Sequence, residues 1–135
     1  MTAIRQVDRL RARDCLQRAE ECRNAMAQAF ERGEFNACAI NAVHAGISAA
    51  DALCVFTKGV RHASQRHEEA VALFLDIGPH DEEIKNSVKH LQSLLRIKTD
   101  AEYGEKMMGK GEAELCMKHA ERLLSFVAPR IRKEG

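Results

Sequence analysis

Apolar residues recur at helical spacing along nearly the whole chain, and the alternation typical of strands is absent. From Val7 to Arg32 the apolar positions advance in steps of three and four residues, at Cys15, Ala19, Cys22, Met26, Ala29 and Phe30. Gly33 follows them and fits the left-handed residue that ends many helices. The pattern predicts a first helix with one face packed in a core.

A second helix is predicted from Asn36 to about Gly59, in a stretch dense in alanine and glycine. Such small side chains allow neighbouring backbones to approach closely. Asn41, His44 and Ser48 would lie within about 60° of one another on this helix, with Asp51 roughly a turn further along the same edge. Because buried polar groups cost free energy unless they are paired, this stripe predicts a polar site or a polar interface.

Two more helices are predicted after a polar connection over residues 60–65. The third covers residues 66–77 and ends at Gly78 and Pro79; its apolar edge is Ala70, Val71, Phe74 and Ile77. The fourth begins after Asp81, a residue typical of helix N-caps. Its apolar stripe is Ile84, Val88, Leu91 and Leu95.

The last helix is predicted over residues 112–127, with Pro129 ending it. It would bury Cys116, Ala120, Leu123 and Val127. Residues 101–111 contain three glycines and are expected to be the longest non-helical stretch. Short connections between amphipathic helices predict an all-α fold, an antiparallel up-and-down bundle of about five helices.

Length and charge narrow the possible functions. A chain of 135 residues and 15.1 kDa is expected to form one domain over residues 1–135. With 21 basic and 20 acidic residues there is no global field to attract a nucleic acid or a membrane, so neither DNA nor a membrane is an expected partner. No apolar run approaches the roughly 20 residues that span a bilayer, and the N-terminus lacks a signal-like apolar segment. A cytoplasmic location is therefore expected.

The cysteines and histidines do not form recognisable metal motifs. Five cysteines are widely spaced, and none forms a C-x-x-C pair, which favours reduced structural thiols. No two of the six histidines have the i, i+4 spacing of a helical metal site. No metal and no cofactor are expected.

Four segments, in their order along the chain, resemble the HEPN superfamily of all-α nucleotide-binding domains. They are AEECRNAMAQAFERGEFNACAINAVHAGISAADAL at 19–53, RHEEAVALF with His67, LLRIKTDAEYGE at 94–105, and AERLL in the last helix. The resemblance implies a four- or five-helix bundle that is commonly a homodimer, here expected to form through the small residues of the second helix. Many members are metal-independent ribonucleases or toxins, and others are nucleotide- or RNA-binding partners of nucleotidyltransferases.

This sequence departs from the ribonuclease members of that superfamily, which share an R-x(4–6)-H motif near the fourth helix. Here Arg96 or Lys98 is followed by Tyr103 instead of a histidine. A tyrosine has a reference pKa of about 10 and is a poor general base at neutral pH. The substitution favours ligand binding, in which Arg96 and Lys98 hold a phosphate and Tyr103 stacks on a base.

Three functional hypotheses stay open at this stage. The leading one is a non-catalytic or weakly catalytic nucleotide- or RNA-binding protein, part of a toxin–antitoxin or nucleotidyltransferase pair, whose ligand contacts Asn41, His44, Ser48, Asp51, Arg96, Lys98 and Tyr103. The second is a metal-independent endoribonuclease. It would use Arg61 or Arg96 for the phosphate and His67 or His44 for proton transfer, since Arg61 and His67 form a literal R-x5-H. The third is a dimeric scaffold whose polar stripe sets helix register.

Overall fold

A computed structural model describes residues 4–63 and 66–132. Within these ranges five α-helices carry the fold: α1 (Ala12–Glu31), α2 (Phe35–Lys58), α3 (His67–Leu75), α4 (Glu82–Tyr103) and α5 (Lys110–Arg132). A short 3₁₀ turn over Arg9–Arg11 precedes α1. The predicted all-α bundle is confirmed.

Helix α2 forms the centre of the core, where it contacts α1, α4 and α5. Its small residues are buried within this one chain: Ala39, Ala42, Ala45, Ala49 and Ala52 have no exposed surface. A Cβ atom added at Gly46 would lie 2.3 Å from Cδ1 of Leu94, so the glycine is what lets α4 approach this closely. These residues are used inside the protein, and a dimer would need a surface other than the one predicted from them.

By length and composition alone, α2 is also apolar enough to cross a membrane, with a mean hydropathy of 1.4 over its best window. This differs from the expectation that no run approaches that length, because alanine and glycine contribute a weak but continuous apolar character. In the structure 67% of that window is buried inside the domain. A core helix of a soluble protein passes the same test, since a helix that is apolar all round is typically buried.

Most predicted helix ends are confirmed. Gly33 and Gly59 follow α1 and α2 with φ of 72° and 67°, in the left-handed region that favours glycine. The Asp81 side chain accepts a hydrogen bond from the Glu83 amide and caps α4. The apolar stripe predicted for α4, and the one predicted for α5, are buried.

Two small strands were missed by the sequence pattern. Strand β1 (Ile4–Gln6) pairs antiparallel with β2 (Val60–His62), so that Ile4 faces His62 and Gln6 faces Val60. Three residues are too few to display alternation, and β2 lies in the segment that reads as a polar connection. The first helix is correspondingly shorter than predicted and begins at Ala12.

The two ends of α5 also differ from the prediction. The helix begins at Lys110, so the non-helical segment covers only residues 104–109. At the other end the helix continues through Pro129, although proline lacks the amide that would bond the preceding turn. Ile131 is 1% exposed, and packing of this last turn in the core stabilises the helix beyond the proline.

Candidate functional site

A cleft of about 240 Å³ lies where α2, β2, α3 and α4 meet. Its polar lining consists of Asp51, Arg61, His62, His67 and Lys98. Apolar side chains complete the wall, among them Ile47, Cys54, Leu73, Leu91 and Leu95. Charged groups with fixed positions beside an apolar wall are typical of a ligand site.

Each polar group reaches the cleft from a different part of the chain. Asp51 lies in the second half of α2, and Arg61 lies on β2, whose pairing with β1 fixes the backbone beyond Gly59. His67 is the first residue of α3, and Lys98 lies near the C-terminal end of α4. The fold therefore brings together groups that are separated in the sequence.

Asp51 is the acidic residue of the cleft lining, and the pKa of its carboxyl group is strongly raised. Its side chain is 14% exposed, and its Oδ2 atom lies 3.7 Å from Nη1 of Arg61. Burial raises the pKa of Asp51 from 3.8 to about 6, and the charges of Arg61 and Arg18 oppose this shift. A carboxyl group that titrates close to neutral pH inside a cleft is a candidate functional group.

Cys54 lies one turn beyond Asp51 on α2 and also lines the cleft. Burial, and to a smaller extent the charge of Asp51, raises the pKa of its thiol to about 12. The thiol therefore stays protonated at neutral pH. Because the thiolate is the nucleophilic form of cysteine, Cys54 is part of the apolar wall and not a nucleophile.

The predicted polar stripe of α2 does not converge on one site. Nδ2 of Asn41 donates to the carbonyl of Ala37 at 3.0 Å, along its own helix. Nε2 of His44 lies 3.4 Å from Oε1 of Glu102, and Ser48 is buried. Of these four side chains, Asp51 is the one that lines the cleft.

The three residues of α4 that were predicted to bind a phosphate and a base, Arg96, Lys98 and Tyr103, do not lie together either. Lys98 lines the cleft, whereas Arg96 is exposed and Tyr103 is 80% exposed outside it. Two positions along a helix correspond to a rotation of about 200°, so Arg96 and Lys98 lie on opposite faces. Closeness in the sequence was mistaken for closeness in space.

The fold brings together the two residues of the R-x5-H match, since Arg61 and His67 both line the cleft. The spacing in the sequence was the signal for this pair. His62 was missed, because a histidine between an arginine and a polar connection carries no pattern of its own. Arg18 was also missed: it lies on α1, near enough to Asp51 for its charge to act on the carboxyl group.

The arrangement can bind an anion. Arg61 and Lys98 provide two cationic side chains, and the two imidazoles can donate or accept hydrogen bonds. Ligand pockets of drug-sized molecules are usually about 300–1,000 Å³. This cleft is slightly smaller and suits a phosphate group with part of the molecule that carries it.

Comparison with known proteins agrees with the fold. The HEPN domain family matches residues 12–132, which is nearly the whole chain. Among curated proteins, none matches this sequence. The family match spans all five helices, and the chain therefore belongs to the HEPN domain family.

Proposed function

We propose that this protein binds the phosphate group of a nucleotide or an RNA in the cleft between α2, β2, α3 and α4, as a non-catalytic or weakly catalytic cytoplasmic domain. Membership in the HEPN domain family supports a nucleotide- or RNA-related function. The observation that carries the proposal is the pair of cations, Arg61 and Lys98, that line one small cleft from two separate elements.

The two cations would play different parts in holding a phosphate. The guanidinium of Arg61 can donate two parallel hydrogen bonds to phosphate oxygens, and the ammonium of Lys98 acts as a mobile point charge. His67 lies at the start of α3, where it can add a third donor. The apolar wall reduces screening of these charges by water, which strengthens each of the interactions.

The proposal is tested by titrating the protein with adenosine monophosphate in a calorimeter. Arg61→Ala and Lys98→Ala should each weaken binding by about tenfold or more, because a hydrogen bond to a charged group contributes about 1.5–3 kcal/mol. Lys89→Ala is the matched control, since Lys89 is an exposed lysine of the same helix that does not line the cleft. Equal effects of all three changes, or no binding by the wild type, would contradict the proposal; absence of binding would favour a structural scaffold.

A metal-independent ribonuclease is the second candidate, because the R-x5-H residues Arg61 and His67 share the cleft. In that function Arg61 would hold the scissile phosphate and His67 would transfer a proton. It predicts RNA cleavage in the presence of EDTA that His67→Ala abolishes and His44→Ala leaves intact, since His44 lies outside the cleft beside Glu102. We favour binding, because Tyr103 stands where ribonuclease members of the superfamily carry the histidine of their R-x(4–6)-H motif.

A further inference from the structure

We propose that Asp51 is an internal counter-ion of Arg61 that competes with the anionic ligand, so that the cleft binds its ligand together with a proton. This inference rests on the proposed function and assigns a regulating group to the same site. The ionised carboxyl group weakens binding of the ligand, and the protonated carboxyl group does not.

The side chains of Asp51 and Arg61 meet inside the cleft from two different elements. Oδ2 of Asp51, on α2, lies 3.7 Å from Nη1 of Arg61, on β2. Both side chains are largely withdrawn from water, with 14% of Asp51 and 31% of Arg61 exposed. Because both residues line the cleft, an ionised Asp51 partly neutralises Arg61 before any ligand arrives. The ligand must replace that interaction or share the guanidinium with it.

This competition does not require contact between the ligand and the carboxyl group. A phosphate oxygen that accepts a hydrogen bond from Nη1 of Arg61 would lie at most about 7 Å from Oδ2 of Asp51. At an effective dielectric constant of about 20, two unit charges at that separation repel strongly enough to change a binding constant by at least about tenfold. An ionised Asp51 therefore weakens the binding of an anion that Arg61 holds at this atom.

The carboxyl group changes its charge near neutral pH, which turns the competition into a switch. Burial raises the pKa of Asp51 to about 6, against the charges of Arg61 and Arg18. In the free protein Asp51 is neutral below about pH 5 and does not compete, whereas above about pH 7 it is ionised and competes fully. Because coupling between two binding events is reciprocal, an anion bound by Arg61 must favour the protonated form of Asp51. Binding near neutral pH is therefore accompanied by proton uptake.

Other titratable or charged groups surround Asp51. Among the described residues they are Cys54 on the same helix, Arg18 and Cys15 on α1, Arg61 and His62 on β2, His67 on α3 and Lys98 on α4. Burial raises the pKa of both thiols, so they stay neutral and do not contribute. Protonation of the two imidazoles would strengthen anion binding in the same direction as protonation of Asp51. A comparison of variants at position 51 separates these effects, because the imidazoles are present in every protein compared.

The test measures the affinity for adenosine monophosphate by calorimetry in the wild type and in Asp51→Asn, at about pH 7.5 and about pH 5. At the higher pH the variant should bind at least about tenfold more tightly, because the competing charge is gone. At the lower pH the two proteins should agree within about twofold, because Asp51 is then neutral in the wild type as well. The ionisation of the ligand is the same for both proteins at each pH and cancels from their ratio.

Asp76→Asn is the matched control for the change in net charge. Asp76 lies beside Lys58, its side chain is 65% exposed, and it does not line the cleft. Its replacement should leave the affinity for adenosine monophosphate unchanged within about twofold at both pH values, because water and salt screen an exposed charge. An equal gain from Asp76→Asn and Asp51→Asn would show that net charge, and not the counter-ion of Arg61, sets the affinity.

A second measurement detects the proton itself. The same titration at about pH 7, in buffers of different ionisation enthalpy, gives the number of protons taken up on binding. The wild type should take up about 0.4 proton more than Asp51→Asn, which follows from a tenfold coupling between the two binding events. Equal uptake by the two proteins would contradict the inference.

The outcomes separate this inference from the proposed function. If Asp51→Asn binds adenosine monophosphate no more tightly than the wild type at about pH 7.5, the inference is wrong while phosphate binding in the cleft stands. If the variant gains equally at both pH values, the new amide is responsible and the inference is again wrong. If the nucleotide binds neither protein at either pH, both proposals are excluded. Asp51→Ala repeats the comparison without an amide, and melting curves confirm that the variants are folded.

Discussion

The two halves of α2 have similar alanine-rich sequences but opposite surroundings. Around Gly46 the helix is in direct contact with α4, and the space is filled to the point that a methyl group would overlap Leu94. Around Asp51, one and a half turns later, the neighbouring elements leave a polar cleft. Small residues on a helix therefore do not predict close packing or open space by themselves. The side chains of the partner elements decide between them.

The two halves also differ in what they contribute to stability. The half around Gly46 gains free energy from close packing of apolar groups. The half around Asp51 retains a carboxyl group whose ionisation is disfavoured by burial. Natural proteins commonly accept such a destabilising group where function requires it. The contrast predicts that stability rises when the Asp51 carboxyl group is replaced by a neutral side chain. It also predicts that stability falls when a larger side chain replaces Gly46.

The largest expected gain in stability is that of Asp51→Asn near pH 7. The folded-state pKa of Asp51 is raised from 3.8 to about 6, so its stabilising proton is present below about pH 4 and is lost as pH rises through about 6. At neutral pH the free energy of unfolding of the variant should exceed that of the wild type by on the order of 3 kcal/mol. The figure follows because a pKa difference of one corresponds to ~1.4 kcal/mol.

Urea denaturation at about pH 4 and about pH 7 measures this difference, which should nearly vanish at the lower pH. Asp76→Asn provides the comparison, because its carboxylate is 65% exposed and the change should stay within about 0.5 kcal/mol. A wild type that is more stable than Asp51→Asn at neutral pH would show that the carboxylate stabilises the fold, contrary to the proposed cost.

The next largest effect is expected for Gly46→Ala in the packed half. Alanine is the better helix former by about 1 kcal/mol, yet its Cβ would overlap Leu94, and overpacking costs about 1–3 kcal/mol. We expect a net loss of stability in urea denaturation. Gly111→Ala is the matched control, since a Cβ there meets no atom within 4 Å, and it should be neutral or slightly stabilising.

A second change locates the cause of that loss. Leu94→Ala alone creates a cavity and should destabilise by about 2–5 kcal/mol. Combined with Gly46→Ala it should cost less than the sum of the two single changes, because the overlap is removed. Additive losses would mean that Gly46 and Leu94 do not oppose each other, and the close approach of α2 and α4 would need another explanation.

The smallest predicted effect concerns a histidine pair between α4 and α5. Nδ1 of His90 lies 2.9 Å from Nδ1 of His119, so one ring donates and the other accepts, and two protons do not fit between them. Burial lowers the pKa of both rings, and the charges of Arg122 and Lys118 lower the pKa of each further. Stability is complete above about pH 6.5 and is lost as pH falls through the lowered pKa values.

This dependence has the opposite sign to that of Asp51, which sharpens the comparison between regions. Both rings are partly exposed, so screening keeps the effect below about 1 kcal/mol. In the Asp51→Asn background, where the carboxyl group at position 51 no longer titrates, stability between about pH 7 and 5 should decrease. Adding His119→Asn should flatten that decrease. An unchanged slope would mean that the pair does not titrate in this range.

The sequence predicted the helical frame because its signals are local. The apolar stripe of α4, the Asp81 cap and the left-handed glycines Gly33 and Gly59 each depend on residues within a few positions of one another. Pro129 misled the prediction because the buried last turn of α5 outweighs its local preference. The strands were too short to leave a pattern.

The candidate site was predictable only in pieces. The sequence placed Asp51 and Lys98 in one predicted ligand site, together with Arg96 and Tyr103. It assigned the Arg61–His67 spacing to the competing ribonuclease hypothesis. The cleft depends on the rotation of α4 and on the path of β2 beside α2, which are set by long-range packing. The spacing of residues along the sequence does not reveal the rotation of α4 or the path of β2.

The most direct test of the account is a crystal structure of the protein with adenosine monophosphate bound. We expect the phosphate inside the cleft, within hydrogen-bonding distance of Arg61 and Lys98. A nucleotide bound instead at the exposed end of α4, against Arg96 and Tyr103, would contradict it.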